Sequence, residues 1–318
     1  MKIGFYIQWP KGSLTTQGNV IGDELHAEGM CKALLKLGIE SCEIFAPNCL
    51  PRCSELDVMV YLNDTEPQKE WANKHVLYMQ NAFGEGSDTV LLRLQKMGFD
   101  GYAFISNKLL QIHKRSGLPG IWMPFGVDTE LFRPVIPGRE YSYDVAYIGN
   151  DIKGEARTLL YIYPAVRFNF GLYGNWRLSR RYYILFWKPR PYQWKFAKIT
   201  KGKIPQEDVP SLYSHSKINL NCTAQDCVDW DVITLRNYEV LACKGFLISD
   251  RVPSAERELK DCVAFTDGGK DLEDKIRYYL ERPEERARMA QNGYDYVSKN
   301  ATSLARMTTF LDYLREIV

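Results

Sequence analysis

The residues best suited to chemistry stand in one stretch, Asp231-Val232-Ile233-Thr234-Leu235-Arg236-Asn237-Tyr238-Glu239, where two acids lie eight positions apart with an arginine between them. The chain continues Val240-Leu241-Ala242-Cys243-Lys244-Gly245 as an amphipathic helix ending at Gly245, and Phe246 to Ser249 reads as a buried strand close behind it. This loop, helix and strand carry charge at their mouth. In an open parallel sheet, ligands collect where strand ends meet helix N-termini, so the anionic groups of a ligand would meet backbone N–H groups, Arg236 and Asn237 there. Glu239 is then placed to accept sugar or ribose hydroxyls. The plainer reading is an ordinary core helix with one exposed glutamate.

The elements that must position these residues follow from length and pattern. A chain of 318 residues with 45% hydrophobic content is ample for two compact domains or one large one. A formal net charge of +2 implies no global field for polyanions. Strands and helices alternate, as in parallel α/β architecture. Strands are expected at Ile3 to Gln8, Ser41 to Phe45, Val58 to Leu62, His75 to Met79, Tyr102 to Ser106 and Ile121 to Phe125, with helices at Asp23 to Leu37, closed by Gly38, and at Leu109 to Ser116. A second set starts at Tyr143 to Ile148 and runs through a helix near Glu155 to Pro164 and strands near Phe168 to Tyr173 and Ile218 to Cys222. Between the sets, Phe132-Arg133-Pro134-Val135-Ile136-Pro137-Gly138 reads as a linker.

Several classes are disfavoured at this point. There is no run of eighteen apolar residues, and Met1 to Ile7 turns polar at Gln8, too soon for a signal peptide, so a cytoplasmic location is expected. The eight cysteines read as reduced thiols, because spacings such as Cys49-x3-Cys53 and Cys222-x4-Cys227 miss the usual zinc pattern. No metal site is expected. Gly12, Gly18 and Gly22 are too widely spaced for a dinucleotide fingerprint, but they make a loop whose backbone can approach a substrate closely, ahead of Asp23-Glu24-Leu25-His26. No solenoid-period repeat is evident.

The nine-residue stretch resembles the donor-binding motif of GT-B glycosyltransferases of family 4, an acid, seven residues and a glutamate, with Asp231 standing where the family has glutamate. Leu235-Arg236-Asn237-Tyr238-Glu239-Val240-Leu241-Ala242-Cys243 is most similar to the CgeB-like (spore maturation protein) glycosyltransferases. Further matches come in the family's order. Gly22-Asp23-Glu24 and Gly38-Ile39-Glu40 match its glycine loop in part, and Met123-Pro124-Phe125-Gly126-Val127-Asp128 through Phe132-Arg133-Pro134 resembles the phrase that ends its first domain, where Asp128 reads as a helix cap. Asp144-Val145-Ala146-Tyr147-Ile148-Gly149-Asn150-Asp151-Ile152-Lys153-Gly154 resembles the strand and glycine loop that open its second domain.

The resemblance implies an α/β protein of GT-B architecture, two Rossmann-like domains facing each other across a cleft. Residues 1–134 would form the acceptor side and 135–318 the donor-binding domain, with a C-terminal helix able to pack back on the first. It implies transfer of a sugar from a nucleotide-diphosphate sugar to a glycan, lipid-linked or protein acceptor. Gly149, Lys153, Arg157, Asp231, Arg236, Asn237 and Glu239 would hold the donor, with no cofactor, because cations and N–H dipoles meet the charge that develops on the leaving diphosphate.

The reacting groups depart from the family. Where its retaining members carry a histidine after the fourth strand, Val76 to Phe83 offers Gln80 or Asn81, and neither takes a proton at neutral pH. An inverting reaction needs a base on the acceptor side, and His26, Asp23 and Glu24 are available beside Gly18 and Gly22. His26 reads equally well as a satisfied helix residue. The departure keeps open a catalytically inactive nucleotide-binding or structural protein of the same fold.

Residues 175–203 carry nine lysines and arginines and no acid, interleaved with aromatics such as Trp176, Trp187, Tyr192, Trp194 and Phe196. This composition suits an anionic membrane surface, hence a peripheral site at the inner face of the membrane. It also suits single-stranded nucleic acid, the less favoured partner. The plainest reading is a subdomain packed by its aromatics with its cations solvated.

Overall fold

Strands β1 (Lys2–Tyr6), β2 (Ser41–Phe45), β3 (Leu56–Tyr61), β4 (Ala72–Met79), β5 (Gly101–Phe104) and β6 (Ile121–Trp122) pair in parallel in the order β2-β1-β3-β4-β5-β6. The computed structural model describes residues 1–12, 22–52, 55–62, 65–80, 89–135, 141–176, 178 and 190–318. Gly18 and Asn81 lie outside the described residues. The register sets Ile3 opposite Cys42 on one side and Val58 on the other. Strands β3 to β5 are buried almost throughout, as parallel strands covered on both faces are.

Residues Met1–Asp128, Asp229–Ile233 and Lys299–Val318 form one compact unit, and Thr129–Val228 with Thr234–Ser298 form a second. In the first unit, the C-terminal helix Ser303–Ile317 packs on the helix Gly22–Lys36. Thr302 caps it, accepting from the Ala305 N–H at 3.0 Å. At its far end Tyr313 accepts a hydrogen bond from the Tyr102 N–H of β5 at 2.9 Å. A side chain at Gly101 would collide with Ile317 and lie 3.0 Å from the Tyr313 hydroxyl, so the absence of a Cβ there lets the helix approach the strand.

In the second unit β7 (Val145–Ile148), β8 (Phe170–Tyr173), β9 (Ile218–Asn221), β10 (Leu247–Asp250) and β11 (Ala264–Thr266) form a parallel sheet in the order β11-β10-β9-β7-β8. Its core includes Val145, Leu172, Ile218, Leu220, Phe246, Ile248 and Ile276. Both sheets reverse direction beside their first strand, between β1 and β3 and between β7 and β9. At such switch points the loops diverge and leave a crevice at the carboxyl ends of the strands.

Element boundaries shift by up to three residues from the sequence reading, and three of the shifts have a local reason. The strand at Ile121 stops at Trp122, because Pro124 has no N–H to donate to a ladder. The helix from Glu155 stops at Tyr161 and gives way to a 3-10 turn, Tyr163–Arg167, with Pro164 in its first turn. The helix Leu235–Ala242 is closed by Lys244, at φ 55°, and not by Gly245. Gly245 is required for space, since a Cβ there would lie 2.6 Å from the Tyr213 carbonyl and 2.8 Å from Asn219 Nδ2.

Within residues 175–203, the part described follows the plain reading. Trp176, Tyr192 and Phe196 are buried, with Trp176 edge-on to Phe196 at 4.8 Å, and the helix Pro191–Ile199 turns Tyr192 and Phe196 into the core. Arg180, Arg181, Trp187 and Lys188 lie outside the described residues. Among the described residues no helix is long and apolar enough to cross a membrane.

The contact between Tyr313 and β5 generates a test. Tyr313→Phe leaves the buried Tyr102 N–H without an acceptor, which costs about 1–3 kcal/mol. Urea unfolding should show a loss of that size, while ligand binding by the second unit stays as in the wild type.

Candidate functional site

The chemistry of the second unit gathers at the carboxyl ends of β7, β9 and β10. Asp250, the last residue of β10, is fully buried. Its carboxylate accepts from the Thr223 N–H at 3.0 Å and the Thr223 hydroxyl at 2.9 Å, and it is paired with Arg157 Nη2. Burial pushes its pKa up, and the Arg157 charge and the Thr223 donors oppose that shift. The remaining guanidinium donors of Arg157 bond the Thr223 carbonyl at 2.6 Å and Gln225 Oε1 at 3.1 Å. Its ring neighbour is Tyr161, at 4.8 Å. Arg157, from the helix that follows β7, therefore straps the ends of β9 and β10 together.

Asn221 links this pair to the helix Leu235–Ala242. Its Nδ2 donates to Ser249 Oγ at 3.0 Å and Thr223 Oγ1 at 3.2 Å, and its Oδ1 accepts from Arg236 Nη1 at 2.9 Å. The Arg236 guanidinium lies 5.1 Å from the centre of the Tyr147 ring. Burial works against this cation, but Tyr147, Tyr213 and Glu239 around it hold its pKa above the ordinary arginine value. Burial pushes Glu239 up to about 7, against the pull of Arg236 and Tyr213. Burial, and then the Arg236 charge, hold Lys153 below the ordinary lysine value. Gly149 ends β7, its N–H on the Tyr173 carbonyl at 2.9 Å, and a Cβ there would lie 2.7 Å from the Tyr147 hydroxyl. Two cations, a proton-binding carboxyl and bare backbone thus share one strand-end crevice, a setting suited to a phosphorylated, hydroxyl-rich ligand.

The structure brings Gly149, Lys153, Arg157, Arg236 and Glu239 into this network and sets two other candidates apart. Asn237 is buried, and its amide donates to Thr234 Oγ1 at 3.0 Å and to the Thr234 carbonyl, serving the start of its own helix. Asp231 belongs to the first unit, at φ 57° in the left-handed region, within residues 229–233, whose carbonyls at Asp229 and Trp230 accept from Lys108 and Ser106. Sequence reasoning missed Tyr147, Tyr213, Asn221, Thr223 and Asp250. A signal for two of them was present, since Asn221 and Asp250 are polar residues at the last positions of fully buried parallel strands.

In the first unit, Gly22 opens the helix that carries Asp23, Glu24 and His26. Glu24 is buried and accepts from the Gly12 N–H at 3.0 Å, which pins the loop after β1, while Asp23 is half-buried. His26 packs against the edge of Phe125 at 5.2 Å and near Tyr78, its Nε2 has no hydrogen-bond partner among the described residues, and burial pushes its pKa down to about 4. Gln80, following β4, is buried with Nε2 unpaired. Unpaired buried polar atoms carry a cost, and among the described residues such atoms occur in both units. The described cysteines are free thiols, and among the described residues no group of three or more His, Cys, Asp or Glu could hold a metal ion.

Comparison with known proteins places this geometry. Residues 157–312, just under half of the chain, match a glycosyl transferase-like family, Glyco_trans_1_2. No curated protein matches the chain by sequence. Among solved structures, sucrose-phosphate synthase from Thermosynechococcus elongatus aligns with a TM-score of 0.71 at 12% identity, covering 99% of this chain and 98% of that one. HepE of Anabaena, solved with UDP and glucose, aligns at 0.67 and 14% identity over 99% of both chains. The β-glucosyltransferase of phage T4 aligns at 0.63 and 16% identity over 100% and 99%. The fold is that of the GT-B glycosyltransferases, as the sequence motifs imply.

Two outcomes test the energetics of the network. Arg157→Ala leaves the Asp250 carboxylate buried without its cation and should cost about 3–5 kcal/mol in urea unfolding. For Glu239 the folded carboxyl holds its proton to about 7 against an ordinary 4.5, so stability is lost as pH rises through that window. The Tm of Glu239→Gln, which cannot ionise, should therefore gain on that of the wild type between pH 5 and pH 7.5. A constant difference across that range would show that Glu239 titrates normally.

Proposed function

We infer that the protein is a glycosyltransferase that moves a sugar from a nucleoside-diphosphate sugar to an acceptor hydroxyl, with the donor held by the second unit. The observation that carries this reading is the placement of Lys153, Arg236 and Glu239 at the β7/β9 switch point, inside the stretch, or beside it, that matches the glycosyl transferase-like family. Breaking the bond between sugar and diphosphate puts charge on the leaving phosphate oxygen. Arg236, kept protonated in a buried setting, and Lys153 stabilise that charge better than water would, because they need no reorganisation as it forms. Glu239 accepts ribose or sugar hydroxyls. UDP and UDP-glucose in the solved complexes of HepE and the T4 enzyme support a nucleotide sugar as the donor class. The phrase Leu235 to Cys243 supports, within this class, a place beside the CgeB-like enzymes.

On the acceptor side we assign His26 as the base. Its lowered pKa keeps the imidazole neutral near pH 7, and its unpaired Nε2 can take a proton from a hydroxyl. Gln80 Nε2 supplies a donor for acceptor hydroxyls. Asp23 and Glu24 stand in reserve, although Glu24 is already committed to Gly12. A glycan, a lipid-linked sugar or a protein side chain all present such a hydroxyl, and the basic, aromatic composition of 175–203 favours an acceptor at an anionic membrane.

A thermal-shift screen with UDP-, GDP-, TDP- and CMP-sugars should give a stabilising donor, whose turnover releases the nucleotide. Arg236→Ala and Glu239→Ala should each lose about 2 kcal/mol of nucleotide affinity, roughly 30-fold in Kd, with the fold retained. Calorimetry that finds both affinities unchanged would sink the donor assignment. His26→Ala should lower kcat far more than it changes donor affinity, since a base acts in the transition state.

A further inference from the structure

We propose that Asn221 is a positioning residue that aims the Arg236 guanidinium at the donor diphosphate, an inference that rests on the donor-site reading above. Asn221 is the last residue of β9 and is 2% exposed, so its amide makes its bonds inside the protein. Its two ends are chemically distinct, and the surroundings decide which way it points. On one side stand Thr223 Oγ1 at 3.2 Å, Ser249 Oγ at 3.0 Å and Asp250 Oδ1 at 3.4 Å, two hydroxyls and a carboxylate that together call for the donor end. Nδ2 must face them, which turns Oδ1 toward Arg236 Nη1 at 2.9 Å and Thr234 Oγ1 at 3.4 Å.

The carboxylate of Asp250 thus acts on Arg236 through one amide. Asp250 is itself held by Arg157 and by the Thr223 N–H, so the amide is referenced to the ends of two strands and not to a mobile side chain. With N–H groups on Asn221 and on the Tyr213 hydroxyl and its face on Tyr147, the long arginine side chain is fixed before a ligand arrives. The remaining N–H groups of the fork then meet phosphate oxygens without the loss of rotamer freedom that a solvated arginine would undergo. Aspartate at 221 would set a second carboxylate against Asp250, and leucine would leave Asp250 and Arg236 each short of a partner, so the amide alone serves both neighbours.

The test is a double-mutant cycle read by calorimetry, with the nucleoside diphosphate among UDP, GDP and TDP that the wild type binds best. Asn221→Ala should weaken binding by about tenfold in the wild-type background and by less than about twofold in the Arg236→Ala background, because the contribution passes through the arginine. Asn221→Ser, which keeps a hydroxyl for the Asp250 side but is too short to reach the guanidinium, should behave in the same way and serves if the alanine variant does not fold. Equal losses in both backgrounds would mark a general structural role and overturn the proposal. So would unchanged affinity in Asn221→Ala and Asn221→Ser when Arg236→Ala binds weakly. Unchanged affinity in Arg236→Ala itself would overturn the donor-site reading, and the proposal with it.

Discussion

The second unit is organised around one buried ion pair, Arg157 with Asp250. Asp250 is fully buried at the end of β10, and a lone carboxylate there would be strongly disfavoured. It is kept by a cation, a backbone N–H and a hydroxyl, and the last two come from Thr223, the second residue after β9. The same guanidinium bonds the Thr223 carbonyl. Three segments that leave the sheet after β7, β9 and β10 are therefore tied at one point. A buried pair of this kind adds little net stability over a well-packed apolar core, and its value here is geometric. It defines where the strand-end loops begin, and through Asn221 it reaches the helix that carries Arg236 and Glu239.

From that point outward the electrostatics are a balance of like charges. Burial depresses Lys153, and Arg236 stands near enough to depress it further. Arg236 is spared the same fate by its neighbours, a tyrosine face, a second tyrosine and Glu239. A diphosphate bound there would offset the repulsion between the two cations and raise the lysine's proton affinity. The first unit shows a neutral counterpart, with His26 and Gln80 each holding a buried polar atom unpaired. Cation pairs suit a leaving phosphate, whereas unpaired neutral donors and acceptors suit hydroxyl groups.

The architecture was legible because parallel strands announce themselves as short apolar runs separated by helical periods. β2 was read to its ends and the strands that open each sheet within two residues, whereas β4 begins three residues before its sequence reading, and near Trp122 and Tyr161 a proline ends the element early. The helix that carries Arg236 and Glu239 was legible as an amphipathic segment ahead of a buried strand. The network beneath it was not. Tyr147, Thr223 and Asp250 lie far apart in sequence, and nothing in a single chain tells which polar residues closing buried strands converge. Asp231 shows what spacing alone leaves hidden. Its spacing from Glu239 matches a family motif, yet the chain passes from one unit to the other between Ile233 and Thr234, so the two acids belong to different compact bodies.

This division bears on how the reaction is shared along the chain. The helix with Arg236 and Glu239 begins one residue after a segment anchored in the first unit by Ser106 and Lys108. The left-handed backbone at Asp231 lies within that anchored segment, and aspartate is one of the few residues besides glycine that adopt such a conformation readily. An acid at this position therefore has a backbone reason to be there, independent of any ligand. It follows that the two acids answer to different constraints, the first to chain geometry and the second to the electrostatics around Arg236. Glu239, whose carboxyl is pushed into the neutral range beside a half-buried arginine, carries the electrostatic mark of a working group.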